Sequence, residues 1–302
     1  MPNRLLLAAA RRPGLKDFIT GHKFTRSVAR RFVAGDTLDD ALAACRDLNS
    51  AGIGAILDYL GENVASEDQA DAATRAYLDS LARIASEKLD AHISVKPTQL
   101  GLNLETSACL ARLGRIADAA HEIQSLVAID MESHECTDGT IDVYEKLKQT
   151  HDDVVLCLQA YLNRTRDDVS RLLYLKPSIR LCKGAYDEPE DIVKDRAATR
   201  ESFKELLATL LASSDYTAVA THDDILIAET IELADKWKLD RKRFEFQMLY
   251  GVRRELQSEL VRAGYLVRVY VPFGSEWYAY LMRRLAERPA NLRFFAEALV
   301  RR

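Results

Sequence analysis

Eight short apolar runs rich in β-branched residues, each followed by a longer amphipathic stretch, constrain this 302-residue chain more than any other feature. The runs lie at 54–60, 91–96, 126–131, 154–160, 179–183, 216–221, 244–249 and 265–271. The segments at 69–85, 107–114, 142–148, 164–173, 192–211, 224–236 and 253–262 repeat apolar residues three and four apart, the spacing of one helix face. Strict alternation of strand and helix predicts a parallel sheet. Eight such units of roughly thirty residues predict an α/β fold closed into a TIM-like (βα)8 barrel. An open doubly wound sheet would want a glycine-rich turn after its first strand, whereas Gly52-Ile53-Gly54 precedes it. Neither GxGxxG nor GxxxxGK[ST] occurs.

The first fifty residues read differently. Leu5, Leu6, Ala9 and Ala10 recur at helical spacing, as do Leu38, Ala41, Leu42, Cys45 and Leu48, with Thr37 or Asp36 as the cap of the second helix. The expected division is an N-terminal helical arm at 1–50 and a barrel catalytic domain at 51–302. Lys+Arg 42 against Asp+Glu 46 gives a net charge of −4, without the basic surplus of a duplex-DNA binder, so no nucleic-acid partner is expected. Five cysteines with no CxxC pair support neither a zinc ribbon nor a thioredoxin-like site, and fit a reducing cytoplasm. The apolar run at 5–10 is short for a signal peptide, and no stretch approaches ~20 apolar residues. A cytoplasmic protein is expected, with peripheral contact at the inner face of a membrane left open.

In such a barrel the chemistry gathers at the carboxyl ends of the strands. Those ends carry Asp58 and Glu62, Lys96, Asp130 and Glu132, Gln159 and Tyr161, Arg180 and Lys183, Thr221-His222-Asp223, Gln247 and Tyr270. Eight strands each delivering polar groups to one rim predict a charged active site. Lys96, Arg180, Lys183 and the Arg283-Arg284 pair form a cationic set against few carboxylates, which favours an anionic ligand held by paired hydrogen bonds. The bland alternative for Arg283 and Arg284 is a solvated helix face, since adjacent helical residues point about 100° apart.

Other features have plain readings beside sharp ones. Lys96 or Lys183 could form a Schiff base if burial lowered its pKa, but a strand-end lysine is more often an electrostatic ligand. His222 could be a base, a metal ligand or a donor to a cofactor. Glu132, His134, Glu135 and Cys136 lack metal-ligand spacing and read as a polar turn, so no metal is expected. His151, Asp152 and Asp153 precede a strand and belong to the opposite rim. Trp237 and Trp277 read as packing residues, and Cys182 as a small apolar residue within a strand.

The segments ISVKPTQLGL (93–102), AIDMES (128–133), LQAYL (158–162), RLCKGAYDEP (180–189), ATHD (220–223), FEFQMLYG (244–251) and YVPFG (270–274) with YLMRRLAE (280–287) follow one another along the chain. In this set and order the sequence resembles proline dehydrogenase, an FAD-dependent family with a distorted (βα)8 barrel. The resemblance implies oxidation of L-proline to Δ1-pyrroline-5-carboxylate, the first step of proline catabolism to glutamate. Hydride would pass from proline C5 to flavin N5, and electrons on to a membrane quinone. It implies FAD contacts from Met131, Gln159, Arg180, Cys182, Lys183, Gly184 and Ala185, together with Thr221, His222, Gln247 and Glu287. It implies proline binding by Lys96, Arg283 and Arg284, with Leu249, Tyr270 and Tyr280 walling the ring, and catalytic roles for Asp130 and Arg180. Cys182 stands where the family block has valine, and Asp187 where long members have an aromatic residue. The chain stops soon after the last barrel helix, which reads as a monofunctional form whose product goes to a separate pyrroline-5-carboxylate/glutamate-semialdehyde dehydrogenase.

Overall fold

The computed structural model describes residues 29–287. Eight strands, β1 (Gly54–Tyr59), β2 (Ala91–Val95), β3 (Val127–Ile129), β4 (Val154–Gln159), β5 (Ser178–Cys182), β6 (Tyr216–Ala220), β7 (Phe244–Leu249) and β8 (Val267–Phe273), pair in chain order into a closed barrel. Every pairing is parallel, and β8 closes on β1 with Gly54 opposite Arg268 and Tyr59 opposite Phe273. The (βα)8 expectation is borne out.

The helices are α1 (Leu38–Ser50), α2 (Glu67–Glu87), α3 (Thr106–Glu122), α4 (Thr137–Lys148), α5 (Thr165–Leu172), α6 (Arg196–Ser213), α7 (Asp224–Trp237), α8 (Arg254–Arg262) and α9 (Trp277–Glu287). Ser66, Asp195 and Asp223 cap α2, α6 and α7 with side-chain oxygens, supplying acceptors for amides that lack helical partners. Of the two candidates before α1, Thr37 is the cap. Its Oγ1 accepts from Asp40 N–H at 3.2 Å, and Asp40 Oδ2 accepts in return from Thr37 N–H at 3.1 Å. Among the described residues, no helix is long and apolar enough to cross a membrane. The predicted helical repeat at Leu5–Leu6 and Ala9–Ala10 lies outside the described residues.

Strand alternation sorts the side chains into two layers. Ile93, Val127, Ile129, Leu156, Ile179, Leu181, Val219, Phe246, Val269 and Val271 join the helices in the main apolar core. The intervening positions face the barrel axis, and many are polar: Ser94, Arg180, Glu245, Gln247, Arg268 and Tyr270 are bonded to one another there. A barrel of this kind usually fills its interior with bulky apolar layers. This one does not.

Two details depart from the sequence reading. β8 begins two residues later than expected, because Gly264 turns the chain at φ 81° and the Tyr265 ring packs on Phe244 and Phe246. Trp237, read as a packing residue, ends α7 with 39% exposure, whereas Trp277 is buried. Trp277 belongs to a second apolar cluster in which Ala29, Phe32, Val33 and Leu60 meet Tyr280, Leu281 and Leu285 of α9.

Replacing Thr37 with alanine is expected to lower stability by about 1 kcal/mol, because the Asp40 N–H at the start of α1 loses its Oγ1 acceptor. Denaturant unfolding checks this: a shifted midpoint at unchanged slope is expected.

Candidate active site

The carboxylate of Asp130 organises the barrel mouth. It stands one residue beyond the paired end of β3, where its N–H still donates to Val95 O at 2.9 Å. Its Oδ1 accepts from Ser94 Oγ and from Arg180 Nη1, both at 2.7 Å. Its Oδ2 accepts from Tyr270 Oη at 2.7 Å and from Lys96 Nζ at 3.3 Å. Lys96, one residue past β2, is shared with Asp58 of β1, whose Oδ1 lies 2.5 Å from Nζ. Five strands, β1, β2, β3, β5 and β8, are thereby tied across the barrel by residues on them or just past their ends.

Burial opposes ionisation of Asp130, yet Lys96 and Arg180 outweigh it and hold the carboxyl below its ordinary pKa. At Asp58 burial wins over Lys96, with Asp130 adding repulsion, and its pKa rises. Burial would lower Lys96, but Asp58 and the oxygens of Tyr270 and Asp130 keep it well above its ordinary value. An ammonium so held is a charge, not a nucleophile, which removes the reason for a Schiff-base reading at Lys96.

Arg180 reaches the axis from β5. Its Nε donates to Gln247 Oε1 at 2.7 Å and its Nη1 also to Ser94 Oγ at 3.0 Å. Its Cζ lies 5.5 Å from the centre of the Tyr270 ring. Its Nη2 is buried with no hydrogen-bond partner among the described residues.

A second group lies on α9 and the loop after β1. Arg283 Nη2 donates to Glu62 Oε1 at 2.6 Å, Tyr186 Oη donates to the same oxygen at 3.3 Å, and the guanidinium covers the Tyr186 ring at 5.3 Å. Burial works against the charge of Arg283, and Glu62, helped by Asp58 among others, overrides it. Arg284 instead lies along its own helix, 5.2 Å over the ring of Tyr280.

The remaining predicted residues surround this centre. Met131 and Gln159 are buried, and Gln159 Nε2 donates to Glu132 O at 3.0 Å. Cys182 is half-buried with its Sγ 3.7 Å from Cys157 Sγ. Lys183 Nζ donates to Asp223 Oδ2 at 2.5 Å, while the other oxygen of Asp223 caps α7. Thr221 Oγ1 accepts from Asp223 N–H at 3.2 Å, and His222 Nε2 accepts from Leu249 N–H at 3.0 Å. Gly184 sits at φ 115°, and a Cβ there would meet the Tyr161 ring at 2.2 Å, so only glycine fits; Ala185 beside it is half-buried. Glu287 closes α9, but its side chain lies outside the described residues.

A family model described as "Proline dehydrogenase" matches residues 41–297. "Proline dehydrogenase 1" of Bacillus subtilis (strain 168) is 41% identical over 279 residues, 92% of each chain. The chain belongs to the proline dehydrogenase family. "Proline dehydrogenase" of Deinococcus radiodurans is 32% identical over 304 residues, 99% of this chain and 97% of that one. A solved proline utilization A (PutA) from Bdellovibrio bacteriovorus superimposes with TM-score 0.80 at 23% identity, over 86% of this chain but 32% of that larger one, a likeness of fold alone. The enzyme is thus a proline dehydrogenase, acting in proline catabolism.

The site corrects the cationic-rim expectation. Four of the five cations have a carboxylate: Lys96 with Asp58 and Asp130, Arg180 with Asp130, Lys183 with Asp223, Arg283 with Glu62. These four cations are balanced, so an anion reaches them by exchange. Lys96, Asp130, Arg180, Tyr270 and Gln247 come together in one bonded network, whereas Arg283 and Arg284 diverge, one to Glu62 and the other to Tyr280. Residues 134–136 form a short 3-10 turn, in which His134 Nδ1 lies 2.5 Å from Glu188 Oε2. Sequence reasoning missed Ser94, Glu245 and Arg268. Their signal was polar residues at alternate positions inside strands that should be apolar.

Glu132 accepts from Thr98 N–H at 2.9 Å and Oγ1 at 2.5 Å. Burial nevertheless pushes its carboxyl up to about 7. A raised acid binds more protons folded than unfolded, so its contribution to stability is lost as pH rises from about 4.5 to about 7. Glu132→Gln should remove that loss. Between pH 5 and pH 8 the wild type is expected to lose up to roughly 3 kcal/mol relative to the variant, read by unfolding at both values.

Proposed function

We propose that the enzyme converts L-proline to Δ1-pyrroline-5-carboxylate with FAD as cofactor and a membrane quinone as final acceptor. The observation that carries the FAD reading is Arg180, whose Nη2 is enclosed without an acceptor among the described residues beside Asp130 and Tyr270. A buried unpaired guanidinium nitrogen costs free energy unless a bound group supplies the acceptor. When bound, FAD would supply at N5 the two-electron acceptor for a hydride from proline C5, with a quinone as final acceptor. Arg180, Lys183, Gly184 and Ala185 at the end of β5, with Thr221, His222 and Gln247, would hold it against Met131, Gln159 and Cys182, with Glu287 at the end of α9. Arg180 would stabilise negative charge developing there.

The substrate carboxylate binds by replacing like with like. Arg283 exchanges Glu62 for it, so one bidentate ion pair takes the place of another. Lys96 has three N–H donors; two serve Asp58 and Asp130, and the third makes only a 3.5 Å contact to Tyr270 Oη. That third donor turns to the ligand, and Arg284 completes the clamp. Leu249, Tyr270 and Tyr280 wall the pyrrolidine and keep water from the reacting carbon. Tyr270 is fixed by its hydrogen bond to Asp130, so the wall and the charge network move together. Positioning a small rigid zwitterion in this way supplies much of the rate. The active protein works in the cytoplasm with peripheral access to the membrane, and a second dehydrogenase consumes the product.

Purified protein is expected to be yellow and to bleach anaerobically with L-proline. A flavin spectrum that proline leaves unchanged would overturn the reading. Arg283→Met and Arg284→Met should each raise the KM for proline at least about tenfold, with FAD retained. Loss of FAD with proline affinity retained would contradict the clamp.

A further inference from the structure

A column of alternating charges crosses the barrel below the substrate site. Asp90, just before β2 on the amino-terminal rim, accepts from Arg268 Nη1 at 2.8 Å. Arg268 Nε donates to Glu245 Oε2 at 3.2 Å, and Glu245 Oε1 accepts from Gln247 Nε2 at 2.7 Å. Gln247 Oε1 accepts from Arg180 Nε at 2.7 Å, and Arg180 passes the column on to Asp130. Glu245, Gln247 and Arg268 are all buried. A buried ion pair adds little stability over an apolar pair of the same volume. Its presence on a barrel axis therefore needs another reason.

The amide of Gln247 supplies one. A primary amide fits a slot either way round, with donor and acceptor exchanged. Only one orientation gives Arg180 Nε an acceptor; the other sets NH2 against guanidinium. Ionised Glu245 is acceptor-only, so it takes Nε2 and leaves Oε1 to Arg180. Arg268 keeps Glu245 charge-balanced from the far side.

We propose that Glu245 is a positioning residue of the oxidation: by orienting the Gln247 amide it holds the Arg180 guanidinium in one pose at the cofactor face. The Nε bond to Gln247 and the Nη1 bonds to Asp130 and Ser94 then leave Nη2 as the nitrogen without a partner among the described residues. This deepens, and rests on, the reading of Arg180 as a flavin contact.

E245Q in the FAD-loaded enzyme tests it. Glutamine at 245 keeps its oxygen on Arg268 and turns NH2 toward Gln247, which inverts the second amide and sets donors against Arg180. The expected result is a kcat about 10- to 100-fold lower at unchanged proline KM, with a more negative flavin midpoint potential. In a Q247L background E245Q should add nothing further, because the relay is already cut. An E245Q enzyme with wild-type kcat and potential overturns the proposal, as does an equal loss with and without Gln247. Should E245Q fail to fold, E245M/R268M replaces the pair with apolar side chains of similar volume. The same fall in kcat supports the proposal, and wild-type kcat and potential in that variant overturn it. A wild type that takes up no FAD sinks both readings, whereas a yellow, proline-reducible wild type matched by E245Q sinks only this one.

Discussion

One buried carboxylate determines the layout of the mouth. Asp130 accepts from two cations and two hydroxyls contributed by β2, β5, β8 and the residue after β2. Enclosing an ionised carboxylate costs several kcal/mol unless its lone pairs are filled, and here four donors fill them. Because the donors come from strands that are not neighbours, the network braces the barrel across its axis. Lys96, Arg180 and Tyr270 have fixed places because they share this acceptor. Without it, Lys96 would keep only Asp58, and Arg180 would lose its carboxylate partner.

Charge balance also explains a composition that conceals its site. The chain carries a net charge of −4 while handling an amino-acid carboxylate. Lys96, Arg180, Lys183 and Arg283 each already hold a carboxylate of the protein, so the site needs no basic surplus. Exchange of one carboxylate for another changes the Coulomb energy little. Discrimination then falls to shape, in the tyrosine and leucine walls.

The legible part of this molecule was periodic or local. β7 starts and ends where its β-rich run does, and the strand-end rule placed Lys96, Asp130, Arg180 and Tyr270 on one rim before any coordinates. Pairing was not legible. Glu62 and Arg283 are 221 residues apart and meet only because β8 closes on β1. The start of β8 was misplaced because the run from Tyr265 alternates smoothly, and only the Gly264 turn and the stacking of Tyr265 mark the boundary. Glu245 and Arg268 were passed over because a charged residue inside a buried strand contradicts the apolar pattern used to find strands. Such a contradiction is where function overrides packing.

The second apolar cluster has a mechanical meaning. α9 leans on Leu60 and on Ala29, Phe32 and Val33, and these residues form a cluster separate from the main core. A segment with its own small core can open at a lower free energy than the body it rests on. α9, which carries both arginines, thus rests on the 29–33 stretch and Leu60 and not on the Asp130 brace, so a change of packing at 29–33 reaches the arginines without passing through that brace.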